Sequence, residues 1–245
     1  MNSLSHILHT ISYMALPLLF AMVLHEYAHG WMADKCGDST AKSQGRLTMN
    51  PLAHIDPFGT IIMPLLCLVL PGSFLLGWAR PVPIDPRNLS QPRRDMALVA
   101  AAGPGMNLIL AVGSALLLAV LFAIDPTLSI RESGGSTSPS SLSTMVLLPI
   151  AVMAFYSVLI NVFLCLFNLI PIPPLDGGRI LVSLLPPQPA LALARLEPYG
   201  MLILVGLLVF DKELRVMHTI TSTFASGLSG TILTTALGLG GGTAR

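Results

Sequence analysis

Apolar residues form several long runs along this chain, and short polar segments separate them. Four long runs are followed by two weaker ones, at 11–33, 58–78, 96–124, 144–170, 199–210 and 216–239. A helix of about 20 apolar residues spans the hydrocarbon core of a membrane. The pattern therefore predicts an all-α polytopic membrane protein with about five to six membrane segments.

The run 58–78 differs from the others because prolines interrupt it. Pro64 and the Pro71-Gly72 pair fall within it, and proline removes a backbone donor that a membrane helix needs. A hairpin that enters the membrane and returns to the same side accommodates such breaks better than a straight span does. We therefore predict a re-entrant hairpin here.

Polar residues alternate with smaller or apolar ones over 41–50. Gln44, Arg46 and Thr48 fall at every second position, which is the period of a half-exposed strand. We predict a small β-strand element here, near the end of the first span. The edge of such a strand can pair with an extended peptide segment.

Composition supports the membrane assignment. Apolar residues make up 53% of the 245 residues, charged residues make up 10%, and the mean hydropathy is +0.75, whereas a soluble domain carries about 25% charge. We predict one integral membrane domain over 1–245, with a core at about 11–181 and C-terminal apolar segments over 199–240. The net charge is +1 and no basic block occurs, so no nucleic-acid partner is expected. The sequence leaves the oligomeric state open.

Basic residues orient the predicted spans, because Lys and Arg accumulate at the cytoplasmic ends of membrane helices. Such residues follow the first run and precede the third, at Lys35, Lys42, Arg46, Arg80, Arg87, Arg93 and Arg94. Both regions are therefore expected in the cytoplasm, so the run 58–78 makes no net crossing. The loop over 125–143 is then external, and the ends of the first and fourth runs lie on the cytoplasmic side.

An H-E-x-x-H motif lies inside the first apolar run. On a helix, His25 and His29 share one face and can bind a single Zn²⁺, while Glu26 reaches water beside the metal. Ionisable residues within a membrane helix are costly and mark functional sites. The alternative is that the three side chains only pair with one another in the core of a helix bundle.

A third ligand is expected, because a catalytic zinc takes three protein ligands and leaves one position open. Asp176 follows the fourth run, in the proline-broken sequence NLIPIPPLDGGR over 168–179. Proline ends helical hydrogen bonding there, and Gly177 and Gly178 permit close approach. Asp176 is therefore our candidate ligand, and the alternative is an aspartate that caps a helix.

The combination of motifs resembles the site-2 protease family of intramembrane metalloproteases. HEYAHG at 25–30 and NLIPIPPLDG at 168–177 carry the resemblance, and AGPGMN at 102–107 matches the core helix between them. The match covers 16–181. It implies one Zn²⁺ per chain, held by His25, His29 and Asp176, with Glu26 activating water. Family members often carry an inserted PDZ domain or a C-terminal CBS domain, and this chain has room for neither, so it resembles a minimal member.

Three further polar residues are candidates for supporting roles. Asn168 precedes Asp176 by eight residues, and its amide can bind substrate or stabilise the oxyanion, or else serve as a structural amide between helices. His54 is a candidate for a role behind the ligands or as a transient ligand, and the alternative is a loop histidine bonded to Asp56. Asn107 is a candidate for a supporting or regulatory role, with helix packing as the alternative.

Together these features predict an intramembrane zinc endopeptidase. The resemblance implies hydrolysis of peptide bonds in or near the transmembrane segments of single-span membrane proteins, as in regulated intramembrane proteolysis. It also implies a multi-pass protein of a bacterial inner membrane, with the active site near the cytoplasmic side. The alternative is a metal-binding membrane protein or metal transporter without proteolytic activity. A transporter is expected to have polar residues on several spans or internal repeats, and we find neither in the sequence.

Overall fold

The computed structural model of the protein describes residues 2–62, 78–126, 128, 130, 142–200, 202, 203 and 206. The regular elements in these ranges are all helical. The α-helices in chain order are α1 (Asn2–Lys35), α2 (Thr40–Ser43), α3 (Pro92–Ile124), α4 (Leu142–Asn168), α5 (Asp176–Leu184) and α6 (Pro187–Ala194). Shorter 3₁₀ turns occupy Pro51–His54, Pro86–Asn88 and Glu197–Tyr199, and a π-helical turn occupies Pro57–Ile62.

Three helices in the described ranges are long and apolar enough to cross a membrane. They occupy Ile11–Lys35 within α1, Pro92–Ile124, and Met145–Asn168 within α4. The first, third and fourth apolar runs are thereby confirmed as candidate spans. The apolar side chains that α3 exposes, such as Leu108 and Leu116, are those expected to face lipid. The protein is an integral membrane protein.

Each of the three spans packs against the other two. Small residues permit this approach between α3 and α4, because Ala151 and Ala154 pack against Leu118 and Leu121. Helix α5 also packs against α3. The chain that follows the third span therefore returns to the bundle, which is the arrangement that a site shared by α1 and α5 requires.

The strand predicted over 41–50 is wrong. Helix α2 occupies its first part, Gly45 adopts a positive φ of 65°, and the following residues form no strand within the described part of the chain. Asp38 accepts hydrogen bonds from the backbone N–H and the hydroxyl of Thr40, and such local bonds favour a turn over a strand. The alternation at Arg46 has another origin, because its guanidinium binds loop carbonyls.

The two ends of the run 58–78 lie side by side. The backbone N–H of Trp78 donates to the Gly59 carbonyl at 3.1 Å. The Trp78 carbonyl accepts from the Thr60 hydroxyl at 2.9 Å. A single crossing would separate these ends by about 30 Å. Most of the predicted hairpin, residues 63–77, lies outside the described residues. Most of the C-terminal apolar segments predicted over 199–240 also lie outside them.

A buried carboxylate ties the loop before α3 to the end of α1. Besides the bonds from Thr40, Asp38 accepts from the Asp85 N–H at 2.7 Å and the Asn88 side chain at 3.1 Å. Burial alone would raise the pKa of the Asp38 carboxyl, but these bonds to its ionised form outweigh burial and lower it. The loop is thereby held against the helix that carries the H-E-x-x-H motif.

Candidate metal centre

The two motif histidines meet on one face of α1. His25 and His29 are one helical turn apart, and both are buried. Their Nε2 atoms are 3.0 Å apart, and the rings meet edge to face with centroids 4.6 Å apart. Residues four apart on a helix share a face, so this convergence follows from the spacing of the motif.

Asp176 brings a carboxylate to the same point. Its Oδ2 atom lies 3.2 Å from His25 Nε2 and 3.3 Å from His29 Nε2. Asp176 is the first residue of α5, which begins after the proline-rich turn that follows the third span. This turn contains a cis Pro173-Pro174 bond. The three ligand candidates of the sequence analysis are thus brought together.

Two glycines allow Asp176 to occupy this position. A Cβ at Gly177 would overlap the carbonyls of Leu169 and Ile170, and a Cβ at Gly178 would overlap the backbone of 172–173. The first turn of α5 therefore packs directly on the preceding loop.

Helix α3 forms a wall behind the histidines. A Cβ at Gly103 would collide with the imidazoles of both His25 and His29, whereas Gly105 has open space around it. Gly103 therefore allows the close approach of α3 to the histidines of α1, whereas Gly105 has no such role. The missing side chain at Gly103 is what leaves room for the two rings.

Hydrogen bonds on the far side of the rings fix which nitrogen carries the proton. His29 Nδ1 lies 2.7 Å from the carbonyl oxygen of Val99, which can only accept, so Nδ1 donates. His25 Nδ1 lies 2.6 Å from Asn107 Oδ1 and donates in the same way. In the neutral tautomer that these bonds select, each ring offers its Nε2 lone pair as a metal ligand.

The orientation of the Asn107 amide follows from its own partners. Its nitrogen donates to the Ala21 carbonyl at 3.3 Å and to Asn161 Oδ1 at 2.9 Å. The Asn161 nitrogen in turn donates to the Ser157 carbonyl at 2.9 Å, so its oxygen faces Asn107. This chain of amides from α4 to α3 assigns Asn107 Oδ1 as the acceptor for His25.

The converging atoms form a site that fits a cation. Two Nε2 lone pairs and a carboxylate oxygen lie within 4.8 Å of one another. Among the described residues Asp176 Oδ2 is buried without a hydrogen-bond partner. Three acceptors in one buried place are unfavourable unless a positive ion lies between them. Two imidazoles and one carboxylate are a ligand set of catalytic zinc.

Glu26 directly follows His25 and is held from outside its own helix. Its Oε2 atom accepts a hydrogen bond from the Val82 N–H at 2.9 Å. Val82 is buried and packs over Gly30, which lies one turn after Glu26 on α1. The carboxylate next to the ligand group therefore has a fixed main-chain partner.

His54 is buried, but it is not one of the converging groups. Its Nε2 donates to the Thr48 carbonyl at 2.8 Å, and its Nδ1 is buried without a partner among the described residues. The alternative of a bond to Asp56 is wrong, because Asp56 accepts from the N–H groups of Phe58 and Gly59 instead. A role of His54 beside a metal stays a prediction.

Asn168 is the last residue of α4 and bonds to its own helix. Its amide nitrogen donates to the Leu164 carbonyl at 3.0 Å. This bond, one turn back, fixes the amide at the end of the third span. Its contact with substrate stays a prediction.

Sequence reasoning missed two residues of this region. Asn161 is a buried amide in an apolar run, and a polar residue inside a membrane helix was the available signal. Val82 contributes its backbone N–H, which every residue except proline possesses, so its side chain gave no signal.

The arrangement of three metal-ligating groups and an adjacent glutamate agrees with what comparison with known proteins finds. The chain matches the sequence profile of Peptidase family M50 over residues 13–208. The chain belongs to peptidase family M50. As a member of M50 it is a metalloprotease, and the resemblance to site-2 proteases is confirmed.

Curated bacterial relatives of this M50 chain are named accordingly. A Bacillus subtilis (strain 168) protein, "Putative zinc metalloprotease YwhC", is 40% identical over 199 residues, which cover 80% of each chain. "Putative zinc metalloprotease Rip2" of Mycolicibacterium smegmatis is 33% identical over 78% of this chain and 64% of its own length. The Mycobacterium tuberculosis (H37Rv) protein of the same name is 30% identical over 77% of this chain and 63% of its own length. The chain therefore spans just under two thirds of the Rip2 proteins. No solved structure matches it.

Proposed function

We propose that this M50 protein is an intramembrane zinc endopeptidase with one Zn²⁺ per chain, held by His25, His29 and Asp176. The observation that carries the proposal is the convergence of two imidazole Nε2 atoms and a buried carboxylate oxygen. The names of the curated relatives support zinc as the metal.

Glu26 is the proposed general base. Zinc, when bound, supplies positive charge that polarises the scissile carbonyl and lowers the pKa of water to about 7. Glu26 takes a proton from the attacking water at its carboxylate and passes it to the leaving amine nitrogen. One carboxylate oxygen is held by Val82, so the other is available for this proton.

Asn168 is the proposed contact to substrate. The carbonyls of a helical substrate are occupied by internal hydrogen bonds, so a segment must unwind before cleavage and find replacement partners. The Asn168 amide lies half-buried at the end of α4. It can supply one such partner or stabilise the oxyanion.

The position of the ligands along α1 supports cleavage inside the membrane. At a rise of about 1.5 Å per residue, His25 lies roughly 15 Å before the end of α1 at Lys35. That depth falls within a hydrocarbon core about 30 Å thick. We infer that the substrates are single-span membrane proteins, cut in or near their transmembrane segments in regulated intramembrane proteolysis.

A bacterial inner membrane is the proposed location, with the site toward the cytoplasm. The curated relatives are bacterial, and Lys35, Lys42 and Arg46 follow the first span. The adjacent ends of the run 58–78 support a re-entrant hairpin without net crossing. Residues 1–245 are then one membrane-embedded protease domain.

The zinc content and the activity of detergent-purified protein test the proposal together. We expect one zinc per chain in the wild type and in Glu26→Gln, with cleavage of a single-span reporter substrate by the wild type alone. His25→Ala and Asp176→Asn are expected to lose both zinc and cleavage. Glu197→Gln is the matched control, because it makes the same change at an exposed residue outside the ligand group.

Each part of the proposal has an outcome that removes it. Stoichiometric zinc in Asp176→Asn would exclude Asp176 from the ligand set. Full cleavage by Glu26→Gln would exclude Glu26 as the base. Zinc in the wild type without cleavage of any single-span substrate would favour the alternative of a metal-binding membrane protein or metal transporter.

A further inference from the structure

We propose that the backbone N–H of Val82 positions the Glu26 carboxylate, and that Arg46 holds the loop that carries this N–H. The inference rests on the proposed function, because it assigns positioning groups to the proposed base. It concerns a loop that the motif residues do not include, and a residue type, Val, that has no polar side chain.

The contact that carries the inference joins groups 56 residues apart in sequence. Glu26 Oε2 lies 2.9 Å from the Val82 nitrogen. A glutamate side chain has three rotatable bonds, and without a partner it populates several rotamers. A hydrogen bond from a fixed N–H to the ionised carboxylate selects one of them. It holds one carboxylate oxygen and leaves the other available to accept a proton.

Gly30 allows the loop to reach Glu26. Glu26 and Gly30 are four residues apart and therefore share a face of α1. A Cβ at Gly30 would lie 2.9 Å from Val82 Cγ1 and 3.2 Å from Leu47 Cδ1. The absent side chain at Gly30 thus sets how closely Val82 approaches the helix beside the base.

Arg46 fixes the loop from the other side. Its guanidinium donates to the carbonyls of Arg80 at 3.0 Å and Pro81 at 3.1 Å, and also to the carbonyl of Ala53. A planar guanidinium that binds three main-chain oxygens defines their relative positions. The Arg80 N–H adds a bond of 2.8 Å to the His54 carbonyl. The residues that immediately precede Val82 are therefore immobilised on both sides.

The sequence around Val82 makes it the sole donor at this point. Pro81 and Pro83 have no N–H and restrict the backbone to extended conformations. Val82 thus carries the only amide hydrogen between Arg80 and Ile84. A stiff segment whose one N–H donates to the Glu26 carboxylate can hold that carboxylate in one orientation.

Hydrogen–deuterium exchange on the full-length protein tests the contact without measuring activity. Because Pro81 and Pro83 lack amide hydrogens, and the first residue of a peptide retains no label, a peptide over 80–83 reports the exchange of Val82 alone. We expect Val82 to exchange about tenfold faster in Glu26→Leu than in the wild type. In Glu26→Gln the amide oxygen can still accept, so protection is expected to persist. Equal exchange in Glu26→Leu and wild type would overturn the proposal, whether or not the protein proves to be a protease.

Steady-state kinetics test whether the contact serves catalysis. Val82→Pro removes the N–H, and Val82→Ala keeps it while removing the methyl groups that pack on Gly30. We expect kcat to fall about tenfold to a hundredfold in Val82→Pro and Arg46→Gln, with zinc content and KM close to wild type. The fall in Val82→Ala should be clearly smaller.

Two kinetic outcomes would overturn the proposal. An equal loss in Val82→Ala and Val82→Pro would assign the effect to packing. A higher kcat in Arg46→Gln would identify the loop as an inhibitor that covers the base. If Glu26→Gln proves fully active while Val82 exchange still depends on Glu26, the proposed base fails and the contact itself stands.

Discussion

Asn107 accepts the Nδ1 proton of His25 at 2.6 Å, and both side chains are buried between α1 and α3. A ligand histidine whose other nitrogen is fixed in this way keeps one tautomer and one ring orientation. Because the amide of Asn107 is itself oriented by Ala21 and Asn161, the lone pair that His25 offers is determined by three helices together.

Replacement of Asn107 by leucine should weaken zinc binding. The change leaves the His25 Nδ1–H buried without an acceptor and frees the ring to rotate. We expect a loss of affinity of about tenfold to a hundredfold, measured by chelator competition in detergent. Ser114→Ala, at the hydroxyl that contacts Ser157, is the control. It should change the zinc affinity by less than about twofold. Wild-type affinity in Asn107→Leu would exclude the orienting role.

Asn161→Leu should produce a smaller loss of the same kind. Without the Asn161 oxygen, the Asn107 nitrogen keeps only its longer bond to Ala21 at 3.3 Å, so the amide can rotate. The expected loss is about threefold to tenfold, below that for Asn107→Leu. The double variant tests whether Asn161 acts through Asn107. Its zinc affinity should match that of Asn107→Leu alone, whereas additive losses would mean that Asn161 acts independently.

Gly103→Ala should disrupt the metal site while Gly105→Ala leaves it intact. A Cβ at Gly103 would collide with both imidazoles, and a Cβ at Gly105 would meet open space. Both changes raise helix propensity to the same extent, by roughly 1 kcal/mol, so the pair isolates the steric effect. Zinc content after purification is the measurement. Equal zinc content in the two variants would show that α3 shifts enough to accommodate the methyl group at position 103.

Asp38→Asn should destabilise the protein in a pH-dependent way. Asparagine turns one of the two acceptor oxygens into a donor that faces other donors, at a cost of about 2 kcal/mol. The pKa of Asp38 lies below its ordinary value of 3.8 in the folded protein. The stabilisation is therefore present above about pH 4 and is lost as the pH falls through the folded pKa.

Thermal unfolding in detergent at pH 7 and at pH 3 measures this dependence. The difference in unfolding temperature between wild type and Asp38→Asn should narrow at the lower pH. Hydrogen bonds from Arg87 lower the pKa of Asp85 to about 2, but Asp85 titrates in both proteins and cancels in the comparison. A difference that stays constant with pH would contradict the role of the ionised Asp38.

A topology reporter inserted within 133–140 should behave as external. The prediction follows from the basic residues at the end of α1 and at the start of α3, which place these two positions in the cytoplasm. A second reporter after Lys42 should behave as cytoplasmic and serves as the control. A cytoplasmic signal from 133–140 would overturn the orientation of the whole bundle.

The parts of this site that could be predicted from sequence depend on local periodicity. His25 and His29 meet because four residues make about one helical turn. Three apolar runs form helices although each contains one proline, Pro17, Pro104 or Pro149, which a membrane helix tolerates. Asp176 could be selected because charge is rare after an apolar helix and two glycines follow it.

The parts that escaped prediction depend on contacts between distant segments. Val82 reaches Glu26 through a backbone N–H, and such groups are alike along the chain. The strand predicted around Arg46 was wrong for a related reason. The alternation of polar residues was visible in the sequence, but the carbonyls that Arg46 binds belong to other loop segments and were not.

The adjacent ends of the run 58–78 have a consequence for the evolution of this scaffold. Since Gly59 and Thr60 are hydrogen-bonded to Trp78, the length of the segment between them is decoupled from the geometry of the metal ligands. Closely spaced ends are also what insertion of a domain requires. A module could therefore be gained or lost at this point by recombination while the peptidase core is inherited unchanged.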